Sequence, residues 1–192
     1  MLTVVKLGGG LAGDERALRA WCAQIAACGA RHPLLVVPGG GAFADAVRAH
    51  DQRFGLRDET AHWMAILAMD QFGWALAELI PGAIRRTDLG RVRTGAVSVL
   101  LPFALLRERD PLPASWDVTS DSIAAWVAGE SGAGRLVLIK ASASADPAEL
   151  VDPYLPTAVR AAGVEAWVIG GAPARLAELL DTGRTAGARI TA

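Results

Sequence analysis

This chain contains very little lysine, histidine or cysteine, and almost no net charge. Of its 19 basic residues only Lys6 and Lys140 are lysines, and it has 3 histidines, 2 cysteines and a formal net charge of −1. A chain so close to neutrality lacks the basic surface of nucleic-acid-binding proteins, so we expect no nucleic-acid partner. Its 52% of hydrophobic residues argues against disorder and for a folded core.

The cysteines give no sign of a metal site. Cys22 and Cys28 lie on one predicted helix at a spacing that matches no metal-binding motif, which favours two buried, reduced thiols in a cytoplasmic protein. The start of the chain lacks the basic segment and long apolar run of a secretion signal. The apolar stretch 61–80 has the length of a membrane span, but its polar side chains indicate a core-facing helix and no membrane partner. Those side chains are His62, Asp70, Gln71 and Glu78.

Strand-like and helix-like segments alternate along the chain. Strands are predicted at 2–6, 34–37, 97–101, 136–140 and 166–169, with a short extended piece at 188–191. Helices are predicted from Asp14 to Gly29, after Gly41, over 58–80, from Thr119 or Ser120 to Val127, and from Pro173 to about Gly183. Such alternation predicts an α/β fold, a three-layer α/β/α sandwich around a mostly parallel sheet. Irregular excursions are expected at 102–116 and 146–156.

We expect a single domain over residues 1–192. The positions of apolar residues predict which faces of two of its helices are buried. In the helix after Gly41, Phe43, Ala46 and Val47 are expected to point inward, with Asp45 and Arg48 directed elsewhere. The helix over 58–80 is continuously apolar, which suggests a homodimer interface. Its expected stripe is Ala65, Met69, Phe72, Leu76 and Leu79.

Three predicted strands end in glycine pairs or triplets. These are Gly8, Gly9 and Gly10, then Gly39, Gly40 and Gly41, and finally Gly170 and Gly171. Glycine lets backbone amides approach an anion closely, and a helix that follows adds positive potential at its N-terminus. Three such turns together predict a site that holds several phosphates. The alternative is a set of tight strand-to-helix turns without a ligand.

The two lysines both stand at the ends of predicted strands. Lys6 and Lys140 each follow a short apolar run, and ligands of open α/β sheets collect beyond the carboxyl ends of the strands. A compact, flexible ammonium group suits a moving phosphoryl group better than a rigid guanidinium does. The alternative is a codon bias toward arginine and two ordinary solvated lysines.

Two common nucleotide motifs can be tested directly. The chain has no Gly-x-x-x-x-Gly-Lys-Ser/Thr phosphate-binding motif. Residues 39–44 do satisfy the relaxed dinucleotide pattern Gly-x-Gly-x-x-Ala, but that fold needs an acidic residue at the end of the next strand, about 20 residues on. The region that follows here, through residue 80, is predicted helical. A hydride-transferring enzyme is therefore the weaker interpretation.

Taken in order, several segments resemble the amino acid kinase superfamily. They are Val4-Val5-Lys6-Leu7-Gly8-Gly9, Val36-Val37-Pro38-Gly39-Gly40-Gly41, Ser120-Asp121-Ser122-Ile123-Ala124-Ala125, Gly163-Val164 leading to Val168-Ile169-Gly170-Gly171, and Gly187-Ala188-Arg189-Ile190. The ordered set covers nearly the whole chain, although no single segment is decisive. The resemblance implies a kinase that uses ATP, with Mg²⁺ carried by the nucleotide.

The resemblance also implies roles for particular residues. Lys6, with Gly8, Gly9 and Gly10, would bind the transferring phosphoryl group, and Gly170 and Gly171 would contact nucleotide phosphates. Gly39, Gly40 and Gly41 would hold the acceptor, while Asp121 would orient the active-site lysines. An acceptor half would then span about 1–130 and a nucleotide half about 131–192.

The chain departs from the family pattern at three places. Gly10 stands where serine is usual, and Ile139-Lys140-Ala141-Ser142 replaces the common Thr-Asp-Val segment. The lysine that many members carry before the penultimate helix is missing, and Asp152-Pro153-Tyr154-Leu155-Pro156 stands there. We therefore expect Lys140 to take over from the missing lysine as a catalytic residue.

Two further segments, 41–48 and 61–71, are similar to the kinases of the methanofuran-type coenzyme pathway. That similarity implies phosphorylation of an aminomethylfuran methyl phosphate to its diphosphate. A phosphate monoester is already anionic and needs no general base, so positioning and charge stabilisation suffice.

On the acceptor side, Arg48 could clamp the phosphate, Asp45 or Asp70 could receive an ammonium group, and His62 could line the pocket. Each of these residues has a solvated-surface alternative. Two other functions stay open. One is an inactive ligand-binding protein on the same fold, and the other is a kinase for a carboxylate or a different phosphate acceptor.

Overall fold

Seven strands form one sheet through the middle of the molecule. The computed structural model describes residues 1–109, 111–141 and 150–190. The strands are β1 (Thr3–Leu7), β2 (Leu34–Pro38), β3 (Ile84–Arg86), β4 (Ser98–Leu100), β5 (Arg135–Lys140), β6 (Glu165–Gly170) and β7 (Ala188–Ile190), in the order β3-β4-β2-β1-β5-β6-β7. All neighbouring pairs are parallel except β6 with β7. The predicted mostly parallel sheet is confirmed.

Helices cover both faces of this sheet. They are α1 (Glu15–Gly29), α2 (Gly41–Phe54), α3 (Asp58–Leu79), α4 (Pro102–Arg109), α5 (Ser120–Glu130), α6 (Leu155–Ala162) and α7 (Ala174–Thr182). One apolar core joins α4, α5 and α6 to the sheet, and a second joins α1 and α7 to the opposite face. Helix α3 contributes to both cores. The predicted three-layer α/β/α sandwich is therefore confirmed.

The alternation of side chains along the strands places both lysines on the same face. Val4 of β1 and Leu138 of β5 belong to the core under α5 and α6. Because side chains two residues apart point to the same face of a strand, Lys6 and Lys140 also face α5. The two strands are direct neighbours, with Lys6 paired in register with Leu138.

Three elements differ from the sequence prediction, and one of them is α6, which was not among the predicted helices. Part of the stretch 102–116, predicted to be irregular, is helix α4. Pro102 is its first residue, and proline is tolerated in the first turn of a helix, where its missing N–H would have no intrahelical partner. The edge strand β3 was not predicted, because Ile84-Arg85-Arg86 is too short to show a period. Of the predicted excursion 146–156, residues 146–149 lie outside the described residues, as does the end of the piece 188–191.

The predicted inward face of α2 is wrong at two positions. Phe43 is 42% exposed and Ala46 is exposed, whereas Ala44 and Val47 are buried. Ala44 and Val47 lie three residues apart, and they pack with Ala68 of α3 in a small apolar cluster. This small-residue face turns Phe43 outward. On α3, Met69, Phe72 and Leu76 are buried as predicted, and Ala65 and Leu79 are partly buried.

Candidate active site

A cavity of about 310 Å³ opens at the carboxyl edge of the sheet. Lys6 and Lys140 reach it from β1 and β5, and Asp121 reaches it from the start of α5. Glycines 9, 10, 40 and 41 supply part of its backbone wall, and α2 and α3 close another side. Strand ends, glycine turns and the N-terminus of α5 therefore converge on one space, as the sequence predicted for an α/β sheet.

Three charged side chains form a buried cluster beside this cavity. The Lys6 Nζ lies 2.8 Å from Asp121 Oδ1, and the Lys140 Nζ donates to Asp121 Oδ2 at 2.6 Å. The side chains of Lys6, Asp121 and Lys140 are only 5%, 3% and 15% exposed. One carboxylate thus holds two ammonium groups, and the cluster carries one net positive charge next to the cavity.

The protonation of the cluster follows from its burial and its charges. Burial alone would raise the pKa of the Asp121 carboxyl, but the Lys6 and Lys140 ammonium groups outweigh it and hold that pKa below its ordinary value. The pKa of Lys140 is also lowered, first by burial and then by the charge of Lys6, while Asp121 opposes the shift. The arrangement favours an ionised Asp121.

The first two glycine turns pack directly against each other. A methyl group built on Gly9 would lie 2.1 Å from the Gly41 nitrogen, and one on Gly39 would lie 2.5 Å from the Gly9 nitrogen. Gly41 also has a φ of +54°, which glycine adopts readily. Gly8 has a related constraint, because a methyl group there would meet the Ile139 oxygen at 2.7 Å. These glycines let two backbone turns approach closely enough to share one cavity wall.

The third glycine turn lies at the same edge but outside this cavity wall. Gly170 is paired in register with Lys140, so it lies immediately beside that lysine. The Arg175 Nη1 donates to the Gly170 oxygen at 2.7 Å, and Gly171 has a φ of +71°. The structure therefore places Gly170 and Gly171 on the β6 side of the cluster, across from Gly39, Gly40 and Gly41 on the β2 side.

Arg48, Asp45 and His62 all line the cavity. The Arg48 Nη1 donates to Asp45 Oδ1 at 3.2 Å, and the guanidinium carbon lies 4.6 Å from the centre of the Trp116 ring. His62 is buried and packs edge-on against the ring of Trp63. The structure thus brings these three predicted residues together on one side of the cavity.

Trp116 is a cavity residue that the sequence analysis missed. Its Nε1 donates to Asp51 Oδ2 of α2 at 2.7 Å, which fixes the ring beneath Arg48. It lies in a stretch without regular structure, and no pattern in the sequence marks it. Trp116 can be recognised as a cavity residue only from the packing of this stretch against α2.

Asp70 does not occupy the place suggested for it. Its Oδ1 accepts from the Phe103 backbone nitrogen at 3.0 Å, near the start of α4, and it is not part of the cavity wall. Burial raises the pKa of this carboxyl, and the Phe103 hydrogen bond partly offsets the rise. Asp58, at the start of α3, lines the cavity instead. In the sequence, Asp58 is marked only as the beginning of a helix.

The comparisons with known proteins agree with this architecture. The sequence profile of the Amino acid kinase family matches residues 1–85. The uridylate kinase of Archaeoglobus fulgidus superposes with a TM-score of 0.70 at 16% identity, covering 94% of this chain and 95% of that one. The aspartate kinase of Synechocystis superposes with a TM-score of 0.63 at 14% identity, covering 88% of this chain and 38% of that one. The resemblance to the amino acid kinase family is confirmed, and the chain has the amino acid kinase fold.

A narrower match comes from sequence. The chain is 32% identical over 127 residues to the protein of Methanocaldococcus jannaschii named [5-(aminomethyl)furan-3-yl]methyl phosphate kinase. The match covers 65% of this chain and 58% of that protein. The chain therefore spans less than two thirds of that relative. Of the helices that the structure describes, none is long and apolar enough to cross a membrane.

Proposed function

We propose that this chain is a phosphotransferase that moves the terminal phosphoryl group of ATP to a phosphomonoester, with an (aminomethylfuranyl)methyl phosphate as the candidate acceptor. The observation that carries the proposal is the buried Lys6–Asp121–Lys140 cluster at the cavity wall. Phosphoryl transfer proceeds mainly by positioning and charge stabilisation, which two fixed ammonium groups supply.

On the donor side, Lys6 and Lys140 would neutralise the oxygens of the transferring phosphoryl group. The backbone turn at Gly8, Gly9 and Gly10 would support it, and Gly170 and Gly171 would contact the remaining nucleotide phosphates. Mg²⁺ would enter with the nucleotide and neutralise phosphate charge. Both oxygens of Asp121 already contact ammonium groups, so we do not assign it as a metal ligand.

On the acceptor side, the cavity offers both signs of charge. Gly40, Gly41 and Arg48 would bind the acceptor phosphate, with the guanidinium held by Trp116. The carboxylates of Asp45 and Asp58 line the same cavity and would attract a substrate ammonium group. A small molecule with a phosphate at one end and an amine at the other matches this distribution. The name of the M. jannaschii relative contains both groups.

The phosphate acceptor explains the absence of a general base from the proposed chemistry. An ionised phosphate oxygen attacks the terminal phosphorus of ATP, a new P–O–P bond forms, and the bond to the ADP oxygen breaks. The Lys6 and Lys140 ammonium groups stabilise the charge that develops and need not transfer a proton.

We further propose that the chain acts in the cytoplasm as a homodimer, with α3 at the interface. Leu67 and Trp74, one heptad apart on α3, are 42% and 55% exposed. An interface on this side of α3 would cover both side chains.

The deciding experiment incubates the chain with Mg-ATP and a panel of acceptors. The panel contains the aminomethylfuran methyl phosphate, UMP, aspartate and inorganic phosphate. We expect ADP release with the furan phosphate and a diphosphate product visible by ³¹P NMR. Nucleotide binding in a thermal-shift titration without turnover of any acceptor would instead indicate a binding protein. Turnover of aspartate alone would indicate a carboxylate kinase.

A further inference from the structure

One buried carboxylate near the site has no part in the proposed chemistry. Asp152 lies just before α6 and is only 6% exposed. Its Oδ2 accepts from the Thr119 nitrogen at 2.9 Å, the Thr119 Oγ1 at 2.8 Å and the Ser122 nitrogen at 3.0 Å. Its Oδ1 accepts from the Ser122 hydroxyl. A carboxylate with four donors is held in a single orientation.

These donors belong to Thr119, the residue that caps α5, and to Ser122 in its first turn. The residue that caps a helix normally accepts from a backbone nitrogen of that turn through its own side chain. Here the Thr119 hydroxyl accepts only from the Asp121 nitrogen, at 3.5 Å. The Ser122 nitrogen donates instead to Asp152, which lies 30 residues further along the chain. The start of α5 is therefore fixed from outside the helix.

We propose that Asp152 is a positioning residue for the Lys6–Asp121–Lys140 cluster. It holds Thr119 and Ser122, which lie two residues before and one residue after Asp121 in the chain, by a fixed hydrogen-bond pattern, and so sets where the Asp121 carboxylate meets the two ammonium groups. The Thr119 hydroxyl links the two acids, because it donates to Asp152 and accepts from the Asp121 nitrogen.

Asp152 also acts on the cluster through its charge. Burial and the charge of Lys6 lower the pKa of Lys140, while the carboxylates of Asp121 and Asp152 oppose that fall. Within the part of the chain that the structure describes, the charged groups acting on Lys140 are therefore Lys6 from β1, Asp121 from α5 and Asp152 from the segment before α6. Removal of the Asp152 charge should make the Lys140 ammonium easier to deprotonate.

The kinetic test rests on the proposed phosphoryl transfer. Asp152→Asn keeps the size of the side chain but loses its charge and places an amide NH₂ among donors. We expect kcat to fall between about tenfold and a hundredfold with little change in the KM for ATP or acceptor, as for a displaced catalytic group. The matched control is Asp117→Asn, which removes an exposed carboxylate two residues before Thr119 and should leave kcat unchanged.

A second measurement does not need turnover. Because the chain has only two lysines, ¹³Cε-labelled lysine gives two side-chain signals, and Lys6→Met assigns them. In Asp152→Asn the titration of Lys140 should move to lower pH, and in Asp117→Asn it should not. An unmoved Lys140 titration in a folded Asp152→Asn protein, or a loss of thermal stability with unchanged kcat, would reduce Asp152 to a structural helix cap and overturn the proposal. If the wild type proves inactive, the NMR result still decides this inference separately.

Discussion

Lys6, Asp121 and Lys140 behave as one unit because each lysine shares the same carboxylate. Lys6→Met or Lys140→Met removes a preorganised cation where charge develops, so kcat should fall by on the order of a hundred- to a thousandfold. Asp121→Asn should cause similar damage and also lower stability, because two buried ammonium groups then lack their carboxylate. Steady-state kinetics measures the fall in kcat, and thermal unfolding followed by circular dichroism measures the loss of stability. Full activity of Lys140→Met would show that Lys140 does not replace the missing family lysine.

The pH dependence of activity should report the state of Lys140. Its pKa lies below the ordinary value of 10.5 because of burial and the charge of Lys6. The charged ammonium is the active form, so the contribution of Lys140 to activity should be present below that lowered pKa and be lost as pH rises through it. A kcat profile against pH should therefore show an alkaline limb below pH 10.5. Lysine NMR titration assigns the limb, and a limb at or above 10.5 would contradict a burial-lowered Lys140.

Substitution of Arg48 should change the KM values of the two substrates to different extents. Arg48 lines the proposed acceptor side of the cavity and contacts Asp45 and Trp116. Arg48→Ala should raise the KM for the acceptor far more than the KM for ATP, because the lost contact is to the acceptor phosphate alone. Arg53→Ala is a suitable control, since Arg53 is on the same helix but stacks on Phe54. Equal effects on both KM values would remove Arg48 from the acceptor site.

At the scale of elements, the packed glycine turns should tolerate no side chain. Gly9→Ala places a methyl group 2.1 Å from the backbone nitrogen of Gly41, and a backbone atom can give way only if the whole turn moves. We expect Gly9→Ala to lose about 1–3 kcal/mol of stability, as for an overpacked core, and to lose activity. Gly13→Ala is the matched control, because no atom lies within 4 Å of its added methyl group. Denaturant unfolding of both variants, with kinetics, tests this expectation.

The exposed side of α3 should decide the oligomeric state. Leu67→Glu together with Trp74→Glu introduces charge into the proposed interface, so a dimer should become a monomer in light scattering after gel filtration. Phe54→Glu changes an exposed aromatic residue on α2 and should leave the assembly intact. A monomeric wild type, or a dimer unaffected by both α3 changes, would exclude this interface.

Across the whole molecule, sequence patterns predicted well the features that neighbouring residues determine, such as helix caps and strand bounds. Asp14 accepts from the Ala17 nitrogen and caps α1 as expected, and the strands carrying Lys6 and Lys140 lie within one or two residues of their predicted bounds. The proximity of these two lysines could be predicted because the carboxyl ends of parallel strands lie at the same edge of a sheet.

Contacts that depend on tertiary approach could not be found in this way. Trp116 and Asp152 reach the site or its supporting helix from segments without a repeating pattern. Asp58 begins a predicted helix, but the apolar stripe of that helix does not show that its first residue lines the cavity. Phe43 was misplaced because apolar character alone cannot show that α2 packs through Ala44 and Val47. Helix α4 was missed because several prolines nearby suggested a loop, although Pro102 itself suits a helix start.

The central position of β1 has a consequence for how the protein acquires its structure. Thr3 of β1 pairs with Leu34 of β2 on one side and with Arg135 of β5 on the other, so the second contact joins residues 132 positions apart. Contacts between such distant residues must close a long loop before they add stability, which slows folding. During synthesis on the ribosome, one edge of β1 has no strand to pair with until β5 has emerged. Since Lys140 ends β5, the pairing of β1 with β5 and the assembly of the cationic cluster belong to the same late step.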